Sequence, residues 1–469
     1  MKHNLSRTLR RSLADLRNSI DEKEILSILL LEAGTLLMMG RYGNLAEFYP
    51  ITIMLVVFTL IMCVVSFWFK ANVPILISVI ALTNIGFIIQ TIHPPKEIKY
   101  YEFAQKCAVA LAALCIAFLL FPWFAHILSD FWVVAALMVL QYSVIVFMRI
   151  TNTKIEGVTW LELVKAIHVL VMPGLFCGNQ FDREVSYIKL RLGTLILLIH
   201  TVILTIGFVV LSEMGTLLVM WAVFLASGWI FCKNRKTIIL LSVLFVSSFL
   251  AFWMLCDHVL YPALLEENLS KRFEEQYEMM NTEEPSEEYP EWAKDFVADL
   301  DRDSGAEKLI IRFGAARNPE KVYYINGYQG TLGLAAIVLG GWFGVLSERR
   351  MVLEPGPFYL PEANNDFLFA SLVHIFGLVV GVLIIFMFIA IFINGFQIAD
   401  NCESRYLKCI AITITLTIFI EALIHIGYNL ALLPITGIPL YFCSSGFFAL
   451  TTGMGFVGIL LAISTGKIK

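Results

Sequence analysis

The sequence is poor in charge and lacks the motifs of nucleotide-dependent proteins. Only 15% of its 469 residues are Asp, Glu, Lys or Arg, whereas about a quarter of a soluble domain is charged. It contains no glycine-rich dinucleotide-binding loop and no Walker loop, and nothing in it indicates nucleic-acid binding. These absences argue against a soluble nucleotide-dependent enzyme and against a nucleic-acid-binding protein.

The sequence also shows no cysteine spacing typical of a metal site, no predicted signal peptide and no internal repeat. The nine cysteines form no CxxC pair and lie mostly in apolar runs, so we interpret them as packing residues rather than a disulfide framework or metal site. No cleavable signal peptide is predicted, because the basic start runs into a polar stretch before the first apolar segment. We find no convincing internal repeat, which disfavours an inverted-repeat transporter.

Long apolar blocks dominate what is present. Hydrophobic residues make up 58% of the chain, the mean hydropathy is +0.78, and blocks of about 20 apolar residues predict an all-α polytopic membrane protein. The first block is the weakest because it is short and carries Glu32, so an interfacial helix is the alternative there. The twelve candidate spans are 25–40, 50–70, 73–93, 105–123, 131–148, 162–178, 190–211, 215–232, 237–260, 366–394, 407–430 and 440–464.

Loop charges predict the orientation of these spans. If the N-terminus is cytoplasmic, five inside segments carry Lys or Arg, in agreement with the positive-inside rule, and the C-terminus is also cytoplasmic. The long loop 263–365 then lies outside the membrane, together with the short loop around Glu213. The basic inside segments are 70–72, 183–191, 232–236, 404–408 and the C-terminal GKIK.

The long outer loop has two parts of different character. Residues 263–311 are strongly acidic, which predicts a solvated, partly helical or disordered insertion, with a docking surface for a partner ectodomain as the alternative. Residues 312–365 are apolar in part but Gly-rich and interrupted. Irregular backbone at membrane depth is tolerated where protein or a water-filled cavity supplies hydrogen bonds to its polar groups. We therefore predict an amphipathic or re-entrant element that lines a cavity.

Ionisable residues near membrane helices are candidates for function because they are costly to bury. Glu162 and Lys165 are three residues apart and share one helix face, where they can neutralise each other. They either pin helix packing or shape a polar cavity. Glu213 lies where two spans meet, and is either a solvated turn carboxylate or part of a site on the outer face.

Two further groups follow the acidic segment. Arg312 and Arg317 could bind phosphate oxygens through their planar forks, although pairing with the acidic segment is the simpler interpretation. Glu362 and Asp366 are four residues apart, and Pro361 suits a helix start. Asp366 is therefore either a helix N-terminal cap or a general base at the water–lipid boundary, where partial desolvation would raise its basicity.

Six motifs in order resemble the SEDS family, the FtsW/RodA/SpoVE proteins of shape, elongation, division and sporulation. LPEANNDFLFA (360–370) is similar to the family's LPE-x-x-TDFIFA, and GYQGTLGLAAIVLGG (327–341) to its GYQ-x-T segment with the following glycines. LPITGIPLYFCSSGFFA (433–449) is similar to LP-x-x-G-[IV]-PLPF-x-SYGGSS. The remaining three are TWLELVK (159–165) for QPSE-x-x-K, LSEMGT (211–216) for QPDLGT, and Arg312 followed by Asn318-Pro319.

The resemblance implies a peptidoglycan glycosyltransferase of cell wall synthesis in the bacterial cytoplasmic membrane, which polymerises lipid II beside a class B penicillin-binding protein. Asp366 would be the catalytic base, Glu162 and Lys165 would line the central cavity, and Arg312 would steady the pyrophosphate. A divalent cation, Mg²⁺ or Mn²⁺, could assist the leaving group, although no ligand cluster in the sequence predicts one. A lipid II flippase and a catalytically weak scaffold for the penicillin-binding protein are the alternatives.

The chain departs from the family pattern in several places. The family has ten spans, so the twelve predicted here would include two extra ones in the N-terminal membrane region 25–150, after a basic N-terminus 1–24. The SEDS-like core would then comprise 151–262 and 366–469. The substituted positions are Asn365 for Thr, His374 and Ile375 for a Glu pair, His425 for Asn, Tyr441 for Pro, and Phe447 and Phe448 for small residues.

Overall fold

The computed structural model is mostly helical. It describes residues 22–42, 56–64, 71–92, 99–151, 160–185, 190–211, 213–232, 234–260, 312–313, 316, 328–345 and 360–468. The whole acidic segment 263–311 therefore lies outside the described residues, as does Arg317.

Thirteen helices are bounded as follows within these ranges. The first seven are α1 (Glu22–Tyr42), α2 (Val73–Ile92), α3 (Lys99–Phe124), α4 (Phe131–Thr151), α5 (Trp160–Cys177), α6 (Leu192–Val210) and α7 (Met214–Phe231). The next six are α8 (Arg235–Leu255, continued by a π-helical turn Cys256–Leu260), α9 (Tyr328–Gly340), α10 (Leu368–Phe376), α11 (Leu378–Asp400), α12 (Arg405–Asn429) and α13 (Phe447–Ser464). Residues 56–64 are also helical. Between α5 and α6, β1 (Glu184–Val185) pairs antiparallel with β2 (Leu190–Arg191).

Ten helices in the described part of the chain are long and apolar enough to cross a membrane. The predicted total of twelve is not confirmed, because the apolar stretch of α1 is only Ser27–Leu37 and the predicted span 50–70 is described only at 56–64.

The predicted span 366–394 is wrong as a single helix. Gly377 has a φ of +90° and separates α10 from α11. Leu378 donates its backbone N–H to the Gly341 carbonyl (2.8 Å), and Val345 donates to the His374 carbonyl (2.9 Å). The loop after α9 thus supplies hydrogen-bond partners where the helix is interrupted, and α9 packs against α10.

Helix α12 is the centre of the bundle. It contacts α5, α7 and α11 extensively, and α13 and α10 as well, and most of its residues are buried on all faces, as expected of a helix that is apolar all round. Helix α8 is the opposite case, because Ile238 is its one buried residue and its exposed residues are largely apolar. Such a surface suits contact with lipid.

The pairing of α3 with α13 depends on one small residue. A Cβ at Gly458 would collide with the Leu114 carbonyl oxygen, whereas a Cβ at Gly455 would meet no atom within 4 Å. Lipid tails are as apolar as Leu, so membrane helices associate mainly through close packing of this kind.

We therefore expect Gly458→Ala to destabilise the purified protein by about 1–3 kcal/mol, the usual cost of overpacking. Thermal unfolding in detergent should show a lower midpoint for Gly458→Ala than for the wild type. Gly455→Ala is the matched control in the same helix and should match the wild type. Equal midpoints for the two variants would contradict close packing at Gly458.

Candidate functional site

The motif LPEANNDF forms a tight bend directly before α10. Glu362 adopts a left-handed backbone conformation with φ of +54°, which is uncommon for a residue other than glycine. Its carbonyl oxygen accepts hydrogen bonds from the Asn365 N–H (3.0 Å) and the Phe367 N–H (2.9 Å). Phe367 is the N-cap residue and makes no side-chain cap bond. Asp366 is thus not the N-cap residue, and the cap interpretation is not supported.

The C-terminal end of α12 holds the backbone on both sides of Asp366. Asn429 donates its side-chain amide to the Asp366 carbonyl oxygen (3.1 Å) and accepts the Ala370 backbone N–H at its own oxygen (3.1 Å). The Tyr428 hydroxyl lies 2.7 Å from the same Asp366 carbonyl. The bend is therefore anchored to the most buried helix of the bundle.

Helix α2 and the segment before α13 hold the other side of the bend. Gln90 and Asn364 form a reciprocal pair, in which Gln90 donates to the Asn364 carbonyl (3.2 Å) and the Asn364 amide donates back (3.4 Å). Ser444 donates its hydroxyl to the Asn365 carbonyl (3.3 Å). Parts of the chain more than 270 residues apart thus meet at this motif.

The Asp366 carboxylate is partly buried and lies among charges. The Asn365 amide donates to one of its oxygens (3.1 Å). Its other oxygen lies 3.2 Å from where a Cβ of Gly437 would stand, so glycine, with a φ of +67°, allows this close approach. The carboxylate is positioned by its neighbours rather than free in solvent.

Burial raises the pKa of Asp366 to about 7. The negative charges of Glu362 and Glu213 add to this increase, and the Arg312 guanidinium opposes it. Glu362, Glu213 and Arg312, all predicted from the sequence, therefore each lie within electrostatic reach of Asp366. At neutral pH this carboxyl can both accept and release a proton, which a surface Asp cannot do.

Glu162 and Lys165 form a second, fully buried cluster with a residue that sequence reasoning missed. The Lys165 ammonium lies 2.6 Å from a Glu162 carboxylate oxygen and 2.6 Å from a Glu421 oxygen, and it stands over the Tyr441 ring at 5.1 Å. Glu421 could have been found as the lone carboxylate within the apolar run of α12, since an unpaired charge there would be very costly.

Tyr428 lies between the two clusters. It interacts electrostatically with both Asp366 and Glu421, and its hydroxyl is also 2.8 Å from the Ile438 carbonyl. Its neighbour His425 donates from Nδ1 to that same carbonyl (2.7 Å). The structure thus places Glu162 and Lys165 beside the Asp366 site but not in it.

Two other departures from the family pattern have packing roles. The His374 Nδ1 lies 3.2 Å from the Ala336 carbonyl and links α10 to α9. Phe448 packs against Trp160, with ring centroids 5.8 Å apart. These side chains fill space between helices and give no sign of chemistry.

The described residues contain no preformed cluster of metal ligands. No three His, Cys, Asp or Glu side chains there come together as ligands. The Mg²⁺ or Mn²⁺ that the resemblance allows therefore has no ready cluster of protein ligands in the described part of the site.

Comparison with known proteins supports the family resemblance in the C-terminal part of the chain. A family model described as FtsW/RodA/SpoVE, cell cycle protein, matches residues 307–468, which include Arg312, Glu362, Asp366 and Glu421. The match agrees with the resemblance that the motifs in this region predict.

Curated relatives match about a third of this chain. Stage V sporulation protein E of Bacillus subtilis is 36% identical over 156 residues, which are 33% of this chain and 42% of that protein. A probable peptidoglycan glycosyltransferase FtsW of the same organism is 35% identical over 158 residues, 34% of this chain and 38% of that protein. The matches span less than half the length of either relative.

The fold likeness extends further than the sequence likeness. A chain in a solved peptidoglycan synthase complex, described for the coordination of polymerization and crosslinking, matches 84% of this chain and 97% of its own length. The TM-score is 0.56 at 15% identity, so this similarity shows the fold alone. The predicted all-α polytopic architecture is confirmed, with ten helices in the described residues long and apolar enough to cross a membrane.

The pKa of Asp366 predicts a stability effect that needs no substrate. Its folded-state pKa of about 7 lies above the ordinary value of 3.8, so its stabilising contribution is complete below pH 3.8 and is lost as the pH rises through 7. Asp366→Asn should remove this loss. We expect the variant to gain on the order of 2–4 kcal/mol over the wild type between about pH 4 and pH 8.

Thermal unfolding of both proteins in detergent at several pH values measures the difference. Asp400→Asn is the control, because Asp400 has a largely exposed side chain that pairs with Lys408 at the far end of α11. A difference between the wild type and Asp366→Asn that does not vary with pH would show that Asp366 titrates normally.

Proposed function

We propose that this protein is a peptidoglycan glycosyltransferase that polymerises lipid II into glycan strands. The observation that carries the proposal is the Asp366 carboxyl, whose pKa of about 7 suits a general base at neutral pH. The names of curated relatives support it, since several are probable peptidoglycan glycosyltransferases. The proposal favours catalysis over the flippase and scaffold alternatives, because neither of those needs a tuned base.

In the proposed reaction, Asp366 accepts the proton of an attacking sugar hydroxyl. The hydroxyl oxygen forms the new bond to the anomeric carbon, and the bond from that carbon to the pyrophosphate oxygen breaks. The electron pair leaves with the undecaprenyl pyrophosphate. Glu362 and Glu213 favour the reaction by raising the proton affinity of Asp366.

Arg312 is the residue we assign to the pyrophosphate. Its guanidinium is close enough to influence Asp366, and a planar fork of donors matches phosphate oxygens. The next residue, Phe313, is buried and packs edge-on against Phe249 (5.6 Å) and Phe252 (5.1 Å) of α8. This aromatic contact holds the residue next to Arg312 against α8.

The Lys165 cluster has a different role in the proposal. Lys165 is held by two carboxylates at 2.6 Å each, so its charge is already balanced and is not offered to a phosphate. We infer that Glu162, Lys165 and Glu421 form a rigid polar wall of the cavity next to Tyr428. Removing Lys165 would leave two buried carboxylates without their cation, which is strongly destabilising.

We infer that both termini are cytoplasmic and that Asp366 faces outward. The distribution of Lys and Arg over the short loops supports this orientation. A class B penicillin-binding protein is the proposed partner, supported by the fold likeness to a chain from a peptidoglycan synthase complex. Lipid II on the outer leaflet would then reach both activities.

Polymerisation of purified lipid II in detergent, with the partner added, tests the function. Asp366→Asn and Asp366→Ala should each lower the rate by about 100-fold or more, the usual contribution of a general base. Asp400→Asn should retain wild-type activity. Full activity of the Asp366 variants would exclude the assignment, and lipid translocation in vesicles without polymer would favour a flippase.

The pH dependence of polymerisation should show the effect of Arg312 on the pKa of Asp366. Since the base must be ionised, the rate should rise with pH through about 7. Arg312→Gln removes the charge that lowers the pKa of Asp366, so the rising limb should move to higher pH. Arg312→Lys keeps the charge and loses the fork, so it should slow the reaction with little displacement of the limb. Identical limbs for the wild type and Arg312→Gln would count against the proposed proximity.

A further inference from the structure

A second buried carboxylate site lies outside the region that the family model matches. Glu32 of α1 is 9% exposed, and it meets Thr59 of the helical residues 56–64 and Asn84 of α2, which are 7% and 1% exposed. One carboxylate oxygen, Oε1, accepts from the Thr59 hydroxyl (2.6 Å) and from the Asn84 amide (3.0 Å). Three separate parts of the chain therefore converge on one carboxylate oxygen.

Two acceptor atoms of this cluster have no donor. Among the described residues, Glu32 Oε2 and Asn84 Oδ1 are both buried and without a hydrogen-bond partner. They belong to the same two side chains that are joined through Oε1 and the Asn84 amide. Two acceptors cannot satisfy each other, and leaving either buried and unsatisfied is unfavourable.

The surroundings supply no compensating charge. Among the residues that the structure describes, no Lys, Arg or His forms an ion pair with Glu32. The buried neighbours Ile28, Phe58 and Met62 are apolar. The only other titratable side chain within 56–64 and α2 is Cys63, which lies within electrostatic reach, and Glu24 is about two turns away on α1 itself.

We propose that Glu32, Asn84 and Thr59 form a binding site for one small monovalent cation, a proton or a sodium ion. Both ligands act through the same chemistry, which is a positive charge placed between Glu32 Oε2 and Asn84 Oδ1. A proton on Oε2 is donated to Asn84 Oδ1, whereas a sodium ion is ligated by both oxygens and by the Thr59 hydroxyl oxygen. One carboxylate balances one positive charge, so a divalent ion does not fit.

Occupancy of the site stabilises the packing of α1 and residues 56–64 on α2. Helix α2 carries Asn84 and, farther along, Gln90, which bonds to Asn364 in the Asp366 bend. The proposal does not depend on the glycosyltransferase activity, and its test uses no lipid substrate.

The test is thermal unfolding of the full-length protein in detergent, followed by tryptophan fluorescence, at about pH 5.5 and pH 8.5 in sodium chloride or choline chloride. The measurements are made in the Asp366→Asn background, so that the titration of Asp366 does not contribute. For a proton site, we expect the midpoint to rise by about 3 °C or more on acidification in either salt. For a sodium site, a similar rise is expected at the higher pH with sodium chloride only.

Glu32→Gln is the decisive variant. The glutamine amide donates to Asn84 Oδ1 and mimics the occupied site, so the variant should have a high midpoint that neither pH nor sodium changes. Glu102→Gln alters an exposed carboxylate of α3 and should keep the parental response. A parental protein that responds to neither condition, or a Glu32→Gln protein that responds as the parent does, would overturn the proposal.

Thr59→Val covers the case in which Glu32→Gln does not fold. It removes the hydroxyl that donates to the ionised carboxylate, so a proton site should hold its proton to a higher pH. A sodium site loses a ligand instead and should need more sodium for the same stabilisation. A Thr59→Val protein with the parental pH and sodium dependence would count against a site at this position.

Discussion

The cost of removing a carboxylate from water is the constraint on which the polar interior of this protein depends. A membrane-embedded bundle has no solvent to stabilise a negative charge, so each buried carboxylate needs a partner or a proton. Glu162 and Glu421 share the Lys165 ammonium at 2.6 Å. Asp366 has an opposing guanidinium and a pKa raised to about 7. Glu32 has one oxygen bonded to two donors and one oxygen with none.

The way in which each carboxylate is compensated determines whether it can exchange a proton. The Lys165 cluster is fully buried, and its ammonium contacts both carboxylates directly, so it stabilises one arrangement of α5 and α12. Around Asp366, two carboxylates act against one arginine, and its pKa of about 7 allows it to exchange a proton at neutral pH. The two sites thus differ in how directly their carboxylates are paired with a cation.

Helix α12 connects the Lys165 cluster to the Asp366 bend. Its middle carries Glu421, and its C-terminal end carries Tyr428 and Asn429, which hold the Asp366 backbone. Because α12 is the most enclosed of the described helices, its hydrogen bonds hold the bend at Asp366 in one position. Positioning a base within a few tenths of an ångström of its working place requires this kind of support from rigid elements.

The sequence by itself determined the polytopic helical class, and its motifs predicted the family resemblance and the residues proposed for the site. Hydropathy located nearly every membrane helix because apolar length is a local property, and motif order singled out Asp366, Glu362, Glu213 and Arg312 as candidates. Tertiary structure alone showed the break at Gly377, where the loop after α9 supplies the hydrogen bonds that an interrupted helix needs. It also showed Glu421 as the second partner of Lys165, a contact between residues 256 positions apart. Such pairings depend on which helices become neighbours, and hydropathy carries no information about that.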